Sequence, residues 1–211
     1  MSENIFKAVA ITGDVVASSK LETEQRKQLQ GLIENFTAIF TKEYPDLSLQ
    51  QYRGDSLQAT LTTNRAQALS ISLQLQCCLI TEGFYIRLAL GAGDISYEGS
   101  SVLTSDGTAF QQSGPLADEL KKRSELIAIT AQDKNFAAEW LVHSASLNFL
   151  LQKLSPAQAE ALYLLLQDTK QEDIAKALKI SQPSVHQRLQ AAGAHVFIRI
   201  IQRFESTVAL L

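Results

Sequence analysis

"LSLQQYRGDSLQATL", residues 47–61, sets the topology of the first half of the chain. Two short runs, 47–52 and 56–61, alternate apolar and polar side chains, the period of a half-buried strand. Arg53-Gly54-Asp55 between them supplies a tight bend, so the stretch reads as a β-hairpin. The same tripeptide has two other readings. Arg-Gly-Asp is an adhesion signal on extracellular proteins, and the carboxylate of Asp55 is a candidate metal ligand.

The flanking sequence places this hairpin in a larger pattern. "IFKAVAIT", residues 5–12, is rich in strand formers and ends at Gly13-Asp14. From Glu22 to Tyr44 the apolar residues Leu29, Leu32, Ile33, Phe36, Ile39 and Phe40 fall at helical spacing, and Pro45 stops the helix. After the hairpin, 64–80 reads as a helix with Asn64 as N-cap and Gly83 past its end. Residues 84–93 read as a strand, 94–106 as a Gly/Ser/Asp loop, 107–123 as a helix in its second half with Pro115 near its first turn, and 125–130 as a strand. The order is βαββαβ with one more αβ unit. That predicts an α+β fold of ferredoxin-like type over 1–132, with five strands and the helices on one face.

A connecting helix is expected over 133–153, and composition shifts at Leu154-Ser155-Pro156. Residues 154–211 then read entirely as helix. "QEDIAKALKISQPSVHQRL", 171–189, has a short helix, a turn and a second helix opening on Gln182-Pro183-Ser184. This is a helix-turn-helix pattern. Ala175, Leu178, Ile180, Val185 and Leu189 would pack the pair, leaving Gln182, Ser184, His186, Gln187 and Arg188 outward as DNA-reading residues. Lys179 stands where the turn often has glycine, and with Lys170 and Lys176 it is placed to neutralise phosphates. From Ser184 to Ala209 the pattern continues as one helix of about 40 Å, carrying Val196, Phe197, Ile200, Ile201, Phe204 and Val208 as an apolar stripe. Either the front domain or a second copy of the chain must cover that stripe, a second copy being the favoured cover, and Gly193 is a candidate bend in the helix.

Bulk properties narrow the function. The chain has 211 residues, 45% of them apolar, and a net charge of −3. Residues 1–150 hold 12 basic and 17 acidic side chains, whereas residues 151–211 hold seven and five. The excess of positive charge is thus confined to the tail. No apolar run is long enough for a membrane span, and "MSENIFKAVA" lacks the pattern of a signal peptide, so a cytoplasmic protein is expected. That disfavours the adhesion reading. Cys77 and Cys78 are adjacent and read as reduced core residues, and the three histidines form no zinc pattern.

Asp14 and Asp55 should meet at one rim of the sheet, because in a βαββ unit the first strand lies beside the hairpin. Two close carboxylates repel unless a cation sits between them, and Mg²⁺ or Mn²⁺ with a nucleotide suits such a pair. Asp94, after Gly91-Ala92-Gly93, is a candidate third carboxylate.

These motifs also carry resemblances. "GDVVASS" (13–19), "YRGDSLQA" (52–59), "IRLALGAGDIS" (86–96), "SDGTAFQQSG" (105–114) and the 154–189 tail resemble the SatD family over nearly the whole chain. That resemblance implies a bacterial protein linked to acid tolerance and stress. The front part resembles class III nucleotide cyclases and palm-type polymerase domains. Asp14-Val15-Val16-Ala17-Ser18-Ser19 is similar to their Asp-Ile-x-x-Phe-Thr, and Gln51-Tyr52-Arg53-Gly54-Asp55 to their Lys-x-x-Gly-Asp. By that resemblance Asp14 and Asp55 would hold the metal, with Arg53, Gly54 and Gln111 at the nucleotide. Pro115 falls where a cyclase has its catalytic Arg, which implies a sensing module more than an active enzyme. The alternative is a metal-dependent nucleotidyl cyclase or transferase using Asp14 and Asp55.

Overall fold

The computed structural model describes residues 6–52, 54–97 and 99–211. The elements in chain order begin β1 (Phe6–Val15), α1 (Thr23–Glu43), β2 (Ser48–Tyr52), β3 (Ser56–Leu61), α2 (Ala68–Thr81), β4 (Ile86–Ile95), α3 (Thr108–Arg123) and β5 (Ile127–Ala131). Helices α4 (Lys134–Leu151), α5 (Pro156–Leu166), α6 (Gln171–Leu178), α7 (Gln182–Ala192) and α8 (Ala194–Val208) follow. The sheet is mixed, in the order β2-β3-β1-β4-β5, antiparallel except for the β4–β5 pair. The hairpin forms as its alternation requires, with Gly54 at φ 79 in the bend, where a Cβ would be strained. Arg53 lies outside the described residues.

Helix α1 begins on a reciprocal Glu22–Gln25 capping box and buries Leu29, Ile33, Phe36 and Phe40. Asn64, expected to cap α2, does something else. Its N–H and that of Thr62 both donate to Asp46 at 2.9 Å, and its side chain donates to the other oxygen of the same carboxylate. Burial pushes the Asp46 carboxyl up, but these bonds from Asn64 and Thr62 outweigh it and hold the group below the usual carboxylate range.

The helices do not share one face. Val9, Ile11 and Val15 of β1 point to α1 and α2, whereas Ala8 and Ala10 meet Ala109 and Phe110 of α3 on the opposite side. The extra αβ unit crosses over on the second face. Helix α3 comes so close to β4 that a Cβ on Gly91 would stand 2.6 Å from the Ser113 nitrogen. Nor does Pro115 open α3: the helix begins seven residues earlier, at Thr108, and runs through it. A proline inside a helix costs roughly 3 kcal/mol. Packing on both sides of it offsets this, with buried Ser113 meeting the Thr12 hydroxyl at 2.9 Å and Leu120 seated against Ala89 and Ala128.

The tail docks on the front layer. One apolar cluster runs from Val9 of β1 to Val208 of α8, with α2 buried on nearly every side between the sheet and the tail helices. The expected single helix from 184 onward is broken at Gly193, which adopts φ 71 and turns the chain back between α7 and α8. That bend folds the apolar stripe inward: Phe197, Ile200, Ile201, Phe204 and Val208 are all buried within this chain. The stripe is therefore not a face awaiting a second copy. Trp140 of α4 meets the edge of Phe204 with ring centroids 5.1 Å apart, and Arg203 grips Glu139 through two bonds of 2.6 and 3.0 Å. Among the described residues, no helix is long and apolar enough to cross a membrane, and both cysteines are free thiols.

Helix α4 covers the outer edge of β5 with side chains in place of another strand. The Asn148 carboxamide oxygen accepts from Leu126 and Ile127 N–H at 2.6 and 3.0 Å, and its nitrogen donates to Ile127 C=O at 2.8 Å. The Ser144 hydroxyl accepts from Ile129 N–H at 3.2 Å. We expect Asn148→Ala to strand these buried backbone groups and to lower unfolding stability by about 3 kcal/mol, read from urea denaturation. A loss under about 1 kcal/mol would mean that β5 does not depend on this residue.

Candidate functional site at the β1–β3 rim

Strand β1 continues through Gly13 and Asp14 to Val15, so Asp14 sits within the ladder and not beyond its end. It is opposed by Ser56 on β3 and by Arg87 on β4. The N–H of Val15 donates to the Asp55 carbonyl at 2.9 Å. The backbones of Asp14 and Asp55 are therefore neighbours along one rim, but the expected shared metal site does not form: strand alternation turns Asp14 to the α3 face and Asp55 to the α1 face.

Their carboxylates are engaged separately. Directly opposed residues share a face of the sheet, and Asp14 shares its face with Thr12 and α3. There Arg87 Nη1 donates to Asp14 Oδ2 at 3.0 Å, both side chains being largely buried. Arg87 Nε is buried without a partner among the described residues. Asp55 accepts the Ser18 hydroxyl at 2.5 Å. Ser18 comes back to the rim because Ala17 takes a left-handed conformation at φ 55. The positive charge expected from a bridging cation is supplied at Asp14 by Arg87. Neither Arg87 nor Ser18 was singled out as a partner from sequence, although Arg87 falls directly across from Asp14 once the strand register is known.

The other expected site residues are dispersed. Asp94 pairs with Lys7 and Arg87 with Asp14 on the same two strands, so Asp94 lies about 23 Å along β4 from the rim, at 3.3 Å per residue. It forms an ion pair with Lys7 at 3.2 Å and is no third ligand for this pair. Gln111 is exposed on α3. Among the described residues no group of three His, Cys, Asp or Glu side chains is arranged to hold a metal ion.

Asp55 does line a cavity. A cleft of about 970 Å³ runs between α1 and the hairpin, floored by Leu29, Ile33 and Leu49. Ser18, Ser19 and Arg26 stand with Asp55 at its walls. The Arg26 guanidinium lies over the loop, donating to the Leu21 carbonyl at 2.9 Å and the Ser19 carbonyl at 3.4 Å.

In the tail, α6 ends with Lys179 at φ 54, a left-handed turn filled without glycine, and Ser181 caps α7 by accepting from Ser184 N–H at 3.3 Å. Ile174, Val185 and Leu189 are buried between these helices and α5. Gln182, His186 and Gln187 are exposed on α7, and Lys179 is exposed in the turn. Two expected outward residues are turned to structural use. The Ser184 hydroxyl meets that of Ser181 at 2.8 Å, and Arg188 folds back on α5, 3.4 Å from Glu160 and 3.5 Å from the Ala157 carbonyl.

The family model described as the SatD family matches residues 8–208. No curated protein matches. Solved nucleotide cyclase domains are similar to part of the chain. A bacterial light-regulated adenylyl cyclase is 18% identical, with a TM-score of 0.47 over 60% of this chain and 76% of that one. The adenylyl cyclase CyaB from P. aeruginosa is 17% identical, with a TM-score of 0.44 over 60% and 77%. The monomeric guanylyl cyclase domain of the RhoGC fusion protein from the aquatic fungus Blastocladiella emersonii is 15% identical, with a TM-score of 0.44 over 65% and 86%. Likeness at this level leaves function to be argued from the chain's own residues.

Replacing Arg87 with Met should leave Asp14 largely buried and unpaired. We expect a loss of about 2 kcal/mol in urea denaturation, between the values for exposed and fully buried pairs. The double variant Asp14→Asn, Arg87→Met should recover most of it, because the orphaned charge is then gone.

Proposed function

The chain belongs to the SatD family, and we propose that it works as a DNA-binding regulator whose helix-turn-helix is α6 and α7 and whose front layer senses a ligand. The observation that supports this most is the polar opening of α7. A helix-turn-helix offers the first residues of its second helix to the major groove. In α7 these are exposed Gln182, Pro183, His186 and Gln187, and the helix holds no acidic residue. Gln182 and Gln187 have the paired donor and acceptor that adenine presents in the groove. Lys170, Lys176 and Lys179 stand on α6 and its turn, with Lys176 2.8 Å from Asp173. Arg188 and Ser184 are not base readers in this reading, since their polar groups serve α5 and the helix cap. With so few cations per chain, two copies acting together on a two-fold site suit specific binding better than one.

A second reading has its own observation, the cleft beside Asp55. Hydroxyls from Ser18 and Ser19 and the Arg26 guanidinium suit the phosphates of a nucleotide, and the apolar floor suits a base. Asp55 is the residue here to hold Mg²⁺ or Mn²⁺ if the phosphates bring the ion. Asp14 does not fit that task as arranged, because Arg87 already neutralises it. A front layer that binds a nucleotide supports the sensing role. Catalysis is the alternative outcome.

Gel-shift titration of the purified chain against pooled genomic fragments tests the first reading. We expect retardation that weakens with salt, and a loss of about tenfold in sequence-specific affinity for Gln182→Ala, Gln187→Ala, corresponding to ~1.4 kcal/mol. Absence of retardation, or an unchanged affinity in the variant, would remove the DNA reading. For the second, calorimetric titration with each nucleoside triphosphate and Mn²⁺ should give saturable binding that Asp55→Asn weakens. Mass analysis of the same mixtures separates sensing from turnover.

A further inference from the structure

A second cleft lies between the front layer and the tail. It opens among the end of α1, the first turns of α2, the α5–α6 corner and α8, with a volume of about 480 Å³. That is within the ~300–1,000 Å³ of small-molecule sites. Three carboxylates line it from three separate elements: Glu43, Asp168 and Glu205. Among the described residues no Lys, Arg or His lines it. Leu165, Leu166, Ile198 and Ile201 supply apolar wall between the charges.

The cleft also holds an unmet acceptor. Gln74 lines it and is only 4% exposed. Its nitrogen donates to the Ser70 hydroxyl at 3.2 Å, and its carbonyl oxygen is buried with no partner among the described residues. A buried acceptor left open costs roughly 1–3 kcal/mol, so its retention at a cavity points to a donor arriving from outside. Tyr44 reports the sign of the surroundings. Burial first, then the hydrogen bond and charge of Glu43 and the charges of Asp168 and Glu205, push its hydroxyl up to about 12.

We propose that this cleft binds a linear aliphatic polyamine, with ammonium groups on Glu205, Asp168 and the Gln74 oxygen and the methylene chain along Leu165 and Ile201. An ammonium group carries three donors and no acceptor, which complements a lining rich in acceptors. Several ammonium groups on one flexible chain match carboxylates that are spread apart. Those carboxylates form no convergent group that would suit a bare metal ion. The proposal stands independently of the DNA reading, since binding is read directly on the free chain.

The test is calorimetric titration of the full chain with spermidine at fixed ionic strength, with MgCl₂ as the competing cation. We expect one saturable site that Mg²⁺ displaces poorly. Asp168→Asn should weaken it about tenfold, and so should Glu205→Gln. Asparagine keeps the left-handed backbone that Asp168 adopts at φ 56, so that variant should fold normally. Gln74→Met should raise the melting temperature of the free chain, by removing the open acceptor, and reduce the shift that spermidine produces. Glu24→Gln, exposed on the first turn of α1, should bind like the parent. Heats that do not saturate, equal displacement by Mg²⁺, or unchanged affinity in both Asp168→Asn and Glu205→Gln would overturn the assignment.

Discussion

Helix α2 has almost no wet face, and the rest of the molecule is arranged around that. Of its residues from Ala68 to Ile80, all but Cys78 are buried. One side backs the sheet beside α1, and the other takes α5 and α8 of the tail. An apolar helix buried all round stabilises only where two layers close over it. The polar residues it carries inside are mostly given partners: Ser72 donates to the Ala68 carbonyl at 2.7 Å, and Gln76 donates to the Leu126 carbonyl at 2.8 Å. Front layer and tail therefore share one core, and a change at either side of α2 is felt at the other.

Much of the front layer was legible because its signals are local. The hairpin followed from alternation around Gly54, α1 from its apolar spacing and Pro45, and the place of β1 beside the hairpin from the βαββαβ succession. What was not legible depends on tertiary contact. Nothing in residues 107–123 says that α3 continues through Pro115, since the compensation comes from Ser113 and Leu120 meeting the sheet. Helices on both faces follow from which way the last crossover turns. The stripe from Val196 to Val208 was recognised, but its cover was misassigned, because a single left-handed glycine decides whether it faces outward or inward.

The candidate site divides in the same way. The hairpin sets the backbones of Asp14 and Asp55 side by side, as its signal implies, but pleating sends the two carboxylates to opposite faces. Their partners come from elsewhere in the chain: Arg87 lies 73 residues from Asp14 and Ser18 lies 37 residues from Asp55. A carboxylate's chemistry is set by such neighbours more than by its own motif. Asp94 shows the converse, since a Gly-Asp phrase that looked equivalent belongs to the far end of the same strand. In the tail, the exposure of Gln182, His186 and Gln187 on α7 was legible from the helical pattern, but the direction of Arg188 was not, because Glu160 on α5 competes for it.

The side-chain cover over β5 has a consequence for how this sheet meets other chains. A strand that already satisfies its lateral amides through Asn148 and Ser144 offers little to an incoming backbone. The opposite border, β2, carries Ser48, Gln50 and Gln51 beside Leu49, a mostly hydrophilic selvedge. Lateral growth of the sheet, whether by self-stacking or by a foreign strand, is thereby biased to one side, and the polarity of any such ribbon is fixed by the monomer.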